Sequence, residues 1–277
     1  MDYIHQMFEG MGVPLWLTML GRLVFPIFLF LAADSFHYTH DRLAYLRRLL
    51  YMSWFMTIGN AIIGNVFHNG NVGLMNNAFS TFFITGIYIC SWDLLAKGLR
   101  DKSYKELIQG LGLFLFLFPI LSSIPIVVLA GILETPHANP IVVQIVAFIL
   151  SLVPSILIAE GSFMMVILGL LFYIFRTNRI AQIIVLVIIS VIAHLFDPTT
   201  VQWMMIFAVI PMYFYNGERG SGNKNFFYIF YPAHIYLLWI LASFFQIRRQ
   251  RKSLYCLFSC SKSNFYNLFP ASKTAII

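Results

Sequence analysis

Long apolar runs, each close to the length of a membrane crossing, recur along the whole chain. They cover residues 13–33, 49–66, 74–96, 107–133, 141–158, 162–176, 180–196, 201–215 and 226–247. About 20 apolar residues in a helix span the ~30 Å hydrocarbon core of a bilayer. The runs also lack the in–out alternation of a barrel strand. We therefore predict an all-α protein, a polytopic transmembrane helical bundle with about eight or nine spans.

One apolar stretch is too long for a single unbroken helix. Ile141 to Phe175 contains 35 residues, which would extend ~52 Å as a helix and overshoot one crossing. We expect the helix to break between Pro154 and Gly161. That break would place Glu160 at a turn or at a broken-helix junction, and not in lipid.

Composition supports the membrane assignment. Hydrophobic residues make up 60% of the 277 residues and charged residues only 10%, whereas a soluble domain has about 25% charged residues. The formal charge of +7 arises almost entirely in the tail. The tail suits an anionic membrane surface and is no argument for nucleic-acid binding. Cys256 and Cys260 form a lone C-x3-C pair, too little for a disulfide framework or a zinc site.

The distribution of lysine and arginine predicts the orientation. The segments 37–48 and 97–105 are rich in basic residues and are expected to face the cytoplasm. Segments 68–71 and 134–140 contain neither residue and are expected outside. Beyond residue 141 the pattern allows two interpretations. Either a half-helix re-enters, or Arg176 and Arg179 serve a site on the external side.

We predict one integral membrane domain over residues 1–247 and a basic tail over 248–277. Few residues precede the first apolar run, so its first helix is expected to be shortened at the start. After Phe245 the chain contains Ser, Cys, Asn and Lys with no sustained apolar run. A tail that is disordered, or that lies on a surface, fits that pattern.

Three ionisable side chains interrupt apolar runs and are candidates for function. Arg22, Glu160 and His234 each lie inside such a run. An ionisable group at membrane depth costs ~2.5–3.5 kcal/mol on insertion scales, so it usually faces a polar interior. We expect the three to line one polar cavity. The alternative for Arg22 is a side chain that extends to the membrane interface.

Other polar groups have both a functional and a structural interpretation. Asp2 and His5 share a helical face as a general base and its partner would, or they belong to a solvated terminus. Asp34 and His37 lie on one face with Asp41, as in a metal or proton-relay cluster or at a solvated helix end. Tyr231 shares a polar stripe with His234. The Tyr215–Gly220 segment, which contains Asn216, Glu218 and Arg219, resembles a tight turn.

In combination, several segments resemble the TraX family of bacterial membrane proteins. The matching segments are Gly21–Phe28, Asp34–His37, Tyr45–Leu50, Glu160–Gly161, Tyr215–Gly220 and Phe227–His234. The resemblance covers residues 1 to about 246. Where the family's first helix has an Asp-His pair, this chain has Asp2 followed by Tyr3, with His5 two residues later.

The resemblance implies a multi-pass protein of the bacterial cytoplasmic membrane that transfers an acetyl or other acyl group. The donor would be a CoA thioester that serves as a co-substrate, with no tightly bound cofactor. The acceptor would be an amine or hydroxyl, such as a pilin N-terminus or a cell-surface polymer. The expected catalytic residues are Asp2, His5, Glu160 and His234. The expected donor- or substrate-binding residues are Arg22, Asp34, His37, Asn216, Glu218, Arg219 and Tyr231, and we expect no metal.

Two other classes of protein remain open on the sequence alone. A small-molecule transporter would also explain intramembrane charges and a broken helix. A non-catalytic membrane assembly or anchoring protein would explain shortened ends.

Overall fold

The fold is described by a computed structural model that covers residues 7–8, 14, 16–67, 73–134, 139–157, 160–218, 226–246 and 248. All regular secondary structure in these residues is helical. Five of the helices are long and apolar enough to cross a membrane. The all-α prediction is therefore confirmed, and the chain is built as a multi-pass membrane protein.

Ten α-helices follow one another along the described chain. The first five are α1 (Trp16–Tyr38), α2 (Arg42–Val66), α3 (Ala78–Arg100), α4 (Tyr104–Leu111) and α5 (Phe118–Leu133). The others are α6 (Pro140–Ser151), α7 (Ser162–Ile174), α8 (Arg179–Phe196), α9 (Val209–Phe214) and α10 (Phe226–Gln246). A π-helical segment, Gly112–Leu117, joins α4 to α5, and a 3-10 helix, Val201–Ala208, leads into α9.

Polar side chains set the starts of several helices. Asp41 caps α2 by accepting from the amide of Ala44 at 2.8 Å. Asn77 does the same for α3, and Asn178 for α8. Such a side chain satisfies an amide that has no partner within the helix. The role of Asp41 as a cap also removes it from the predicted cluster with Asp34 and His37.

The number of spans differs from the prediction. Each predicted apolar run contains a helix, but only α1, α2, α3, α8 and α10 reach spanning length within the described residues. The other apolar helices are shorter, such as α6 with 12 residues and α7 with 13. A count of eight or nine full spans is therefore not confirmed. Sequence hydropathy measures the length of an apolar run and does not show where the helix within it is interrupted.

The break in the Ile141–Phe175 run occurs where it was predicted. Helix α6 ends at Ser151 and α7 begins at Ser162, so Pro154 and Glu160 lie between them. The indole of Trp54, near the middle of α2, donates to the carbonyl of Leu152 at 2.8 Å. Helix α6 therefore ends about half-way along the bundle, and α7 completes the same crossing.

The start of α7 requires a glycine. Gly161 has φ +78°, a left-handed conformation that residues with a side chain adopt at a cost.

A Cβ at Gly169, further along α7, would come within 2.9 Å of Leu29 on α1 and 2.6 Å of Thr85 on α3. This close approach lets α7 pack between those two helices, as small residues do in membrane bundles.

The two ends of the bundle differ in charge. We call the end that carries Arg42, Lys97, Arg176 and Arg179 the basic end, and the opposite end, where α2 terminates, the Phe67 end. Arg176 lies over the ring of Tyr173, whose hydroxyl donates to Asp93 beside Arg42. Arg176 and Arg179 therefore lie at the end of the bundle that has Arg42, and this arrangement favours a single broken crossing by residues 141–175.

Several predictions concern residues outside the described ranges. Asp2, His5 and Arg219 are among them, as are the Cys256–Cys260 pair and the rest of the tail after residue 248. For these the sequence predictions stand as stated.

Candidate functional site

The carboxylate of Glu160 is bound by Tyr231 of α10, next to the first turn of α3. Tyr231 donates from its hydroxyl to Oε2 of Glu160 at 2.8 Å and accepts from the amide of Ala78 at 2.9 Å. The hydroxyl of Thr81 donates to the backbone carbonyl of Glu160 at 2.9 Å. Because an amide can only donate, the proton of the Tyr231 hydroxyl must point at Glu160. This carboxylate oxygen is therefore an acceptor in the folded protein.

The site lies inside the bundle because α3 begins there. The side-chain amide of Asn77, at the start of α3, donates to the carbonyl and hydroxyl of Ser53, each at 3.1 Å. Ser53 is near the middle of α2, so α3 starts about half-way along that helix. Helix α7 also begins here, directly after Gly161. Two helix N-termini, each with a partial positive charge, thus lie next to Glu160.

His234 lies on the next turn of α10 from Tyr231. Its Nδ1 is 2.8 Å from the carbonyl of Phe230, and its ring packs edge-on to Tyr231 at 5.7 Å. A carbonyl has only lone pairs, so Nδ1 carries the proton and Nε2 has the lone pair in the neutral ring. This is the tautomer that a proton acceptor at Nε2 requires.

Arg22 is at the level of this site on a different helix. The rings of Phe28 on α1 and Phe227 on α10 are in contact at 5.3 Å, and the two helices run in opposite directions. Arg22 and His234 each lie about two turns from that contact, toward the Phe67 end. A Cβ on Gly161 would be 3.7 Å from the ring of Phe25, one turn from Arg22.

A second polar cluster, at the basic end, was not singled out from the sequence. Nη1 of Arg42 lies 2.5 Å from Oδ2 of Asp93, and the hydroxyl of Tyr173 donates to the same oxygen at 2.7 Å. Arg42 also donates to that hydroxyl at 3.2 Å. The cluster joins α2, α3 and α7. Its one sequence signal was Asp93, an acid within an otherwise apolar run.

A third group connects α1 to the start of α8. Tyr215 donates to Asp34 at 3.4 Å, and Arg179 stacks on the ring of Tyr215 at 4.9 Å. Burial, and then the Asp34 carboxylate, raise the pKa of Tyr215, which keeps its hydroxyl a donor. His37 packs against the ring of Tyr173 at 6.3 Å. Among the described residues no group of three or more His, Cys, Asp or Glu is placed to hold a metal ion.

The remaining predicted residues form a turn of their own. The side-chain amide of Asn216 donates to Glu218 at 3.1 Å, and the backbone amide of Glu218 donates back to Asn216 at 3.0 Å. Both side chains are exposed, and Gly217 between them has φ +75°. Residues 219 and 220, the rest of the segment in which a tight turn was predicted, lie outside the described residues.

Apart from Asn216 and Glu218, the predicted site residues that the structure describes separate into two regions. Glu160, Tyr231 and His234 come together inside the bundle, with Arg22 at the same level on α1. Asp34 and His37 lie at the basic end, the first beside Tyr215 and the second beside Tyr173. The sequence alone did not distinguish these two regions, because it does not show which helices are neighbours in the bundle.

The fold and this interior polar site define a multi-pass helical membrane protein with ionisable groups inside its bundle. The family model described as TraX protein matches residues 119–242, and this match supports membership of the TraX family. The match includes Glu160, Tyr231, His234 and both arginines of the α7–α8 turn. No curated protein and no solved structure matches the chain.

Proposed function

We propose that this protein is a membrane acyltransferase that moves an acetyl or other acyl group from a CoA thioester to an amine or hydroxyl acceptor. The observation that carries the proposal is the chain of contacts Ala78–Tyr231–Glu160 beside His234, inside an apolar bundle. Polar and ionisable groups placed this way in membrane proteins usually mark a functional pathway or site. Family membership agrees with a protein of conjugation or pilin processing, and the bacterial cytoplasmic membrane is the location proposed.

In this proposal His234 is the general base. The acceptor's nitrogen or oxygen attacks the thioester carbonyl, and Nε2 of His234 takes its proton. The tetrahedral intermediate then collapses and expels CoA as a thiolate, which takes the proton from the imidazolium and leaves as the thiol. The new bond is an amide or an ester, and the bond broken is the thioester carbon–sulfur bond.

Arg22 and Glu160 supply charge in this proposal. A guanidinium beside the carbonyl stabilises the negative charge that develops on its oxygen. The negative charge of Glu160 offsets part of the positive charge of the imidazolium and of Arg22, and Tyr231 fixes the direction of the carboxylate. Apolar helix packing around the site keeps out water that would otherwise hydrolyse the thioester.

The test is transfer of a labelled acyl group by purified protein in lipid nanodiscs. The donor is radiolabelled acetyl-CoA, and the acceptors are a pilin N-terminal peptide and a hydroxyl-bearing polysaccharide. We expect a labelled product, and a loss of about 10²–10⁴-fold in turnover for His234→Gln. His194→Gln is the matched control, because His194 is an exposed imidazole at the end of α8. Equal turnover in the two variants, or no labelled product with any acceptor, would contradict the proposal.

Transport of a small molecule is the second candidate, and one observation favours it. Secondary transporters place ionisable residues where interrupted helices begin, and Glu160 occupies such a position between α6 and α7. Uptake of an unmodified solute into proteoliposomes, abolished by Glu160→Gln, would support transport. Appearance of an acetylated product instead would support transfer.

A further inference from the structure

Two arginines of the α7–α8 turn make no ion pair with any carboxylate among the described residues. The guanidinium of Arg176 lies 4.5 Å from the centre of the Tyr173 ring and donates to the Tyr173 carbonyl at 3.1 Å. Arg179 lies 4.6 Å from the ring centre of Phe30 and 4.9 Å from that of Tyr215. One terminal nitrogen of Arg179 is buried and has no hydrogen-bond partner in the described structure.

The neighbouring acids are already engaged. Asp93 accepts from Arg42 and Tyr173, and Asp34 accepts from Tyr215. Because rings cover the faces of the Arg179 guanidinium, its N–H edges are the part left to bind a ligand. Arginine presents such edges to phosphate groups in a fixed geometry.

The turn has a second feature that favours an anion. Helix α8, with 18 residues, begins at Arg179, and the N-terminus of a helix carries a partial positive charge with amides that point outward. The two guanidinium groups and this helix end lie on the basic end of the bundle. A phosphate there would meet positive charge from side chains and backbone together.

The distance from this turn to the interior site suits a particular ligand. Helix α7 has 13 residues, so Glu160 and the turn are separated by ~20 Å along it. That length is comparable with an extended phosphopantetheine arm.

We infer that Arg176 and Arg179 bind the phosphate groups of the acyl-CoA donor, while its thioester reaches Glu160 and His234. This inference rests on the proposed function, because it concerns the donor of that reaction. It assigns the phosphates to the basic end and leaves Arg22 for the acyl carbonyl. Arg179 orients the donor and does not take part in bond making.

The experiment measures binding of free CoA, which needs no turnover. Protein in nanodiscs of zwitterionic lipid is titrated with CoA, and pyrophosphate is added as a competitor. We expect Arg179→Gln to raise the Kd for CoA at least tenfold, Arg179→Lys to raise it less, and pyrophosphate to displace CoA. Arg47→Gln, which removes an exposed arginine from α2 near the same end, should leave the Kd within twofold. Melting of each variant without ligand checks folding.

A lipid headgroup offers the same phosphate chemistry, so a second titration uses nanodiscs with phosphatidylglycerol. Stabilisation by that lipid which depends on Arg179, without any binding of CoA, would assign the site to lipid and overturn the inference. Equal CoA binding in wild type and Arg179→Gln would overturn it as well. Binding of CoA that depends on Arg179, in a protein that yields no acylated product, would support the inference and contradict the proposed reaction.

Discussion

The hydroxyl of Tyr231 bridges the carboxylate of Glu160 and the first amide of α3. Its two hydrogen bonds, at 2.8 Å and 2.9 Å, connect α10 to the α6–α7 junction and to the start of α3. Tyr231 is only 7% exposed, so water does not replace these bonds readily. One phenol therefore holds together three segments that are far apart in the sequence.

The substitution Tyr231→Phe should destabilise the protein and disturb Glu160. Removal of the hydroxyl leaves a buried amide and a carboxylate oxygen each short of a partner, at a cost of about 1–3 kcal/mol. The measurement is the free energy of unfolding in a single detergent. Tyr228→Phe is the control, because Tyr228 stacks on Phe79 one turn earlier on α10. If both substitutions lower the free energy of unfolding equally, the hydrogen bonds of the Tyr231 hydroxyl add nothing to stability beyond the loss of a hydroxyl group.

The ion pair between Arg42 and Asp93 should stabilise the basic end. Each side chain is about a third exposed, at 33% and 31%, so its contribution should fall between exposed and buried pairs, about 1–2 kcal/mol. A double-mutant cycle with Arg42→Gln and Asp93→Asn measures the coupling. A coupling energy no larger than that of the exposed Lys97–Glu106 pair would show that solvent screens the interaction.

Gly169→Ala should loosen the packing of α7. The added methyl would come within 3 Å of both Leu29 and Thr85, and overpacking of this kind typically costs 1–3 kcal/mol, about the range expected here. Gly131→Ala on α5 is the matched control, since a Cβ there meets nothing within 4 Å. That change should be neutral or stabilise by about 0.5–1 kcal/mol, because alanine is the better helix former. Unfolding curves that move equally for the two variants would rule out the tight α7 contact.

The single broken crossing predicts which side of the membrane each loop faces. In a protein with its cysteines replaced by serine, Arg47→Cys and Thr177→Cys should react with a membrane-impermeant maleimide from the same side. Thr199→Cys, after α8, should react only from the other side. All three positions are exposed. Reaction of Thr177→Cys from the side opposite to that of Arg47→Cys would mean that residues 141–176 cross twice.

The length of the apolar runs was enough to predict the all-α class. The excessive length of the Ile141–Phe175 run, with its proline and glycine, was enough to predict a break between Pro154 and Gly161. These features are local: the length of an apolar run, a proline without an amide proton and a glycine that tolerates positive φ each act within a few residues. The eight or nine spans that the same local signals predicted are not confirmed, since five helices reach spanning length within the described residues. Helices α6 and α7 are mostly apolar, yet with 12 and 13 residues neither reaches spanning length.

The sequence by itself determined that the chain is a helical membrane protein and that Arg22, Glu160 and His234 interrupt apolar runs. It also showed that several segments resemble the TraX family. Tertiary structure decided which groups meet: Tyr231 with Glu160, Arg42 with Asp93 and Tyr173, and Arg179 with the rings of Phe30 and Tyr215. It also placed Arg176 and Arg179 at the basic end. The physical reason is that hydrophobicity drives each helix into the membrane without reference to its neighbours, whereas side-chain hydrogen bonds and close glycine contacts depend on which helices pack together.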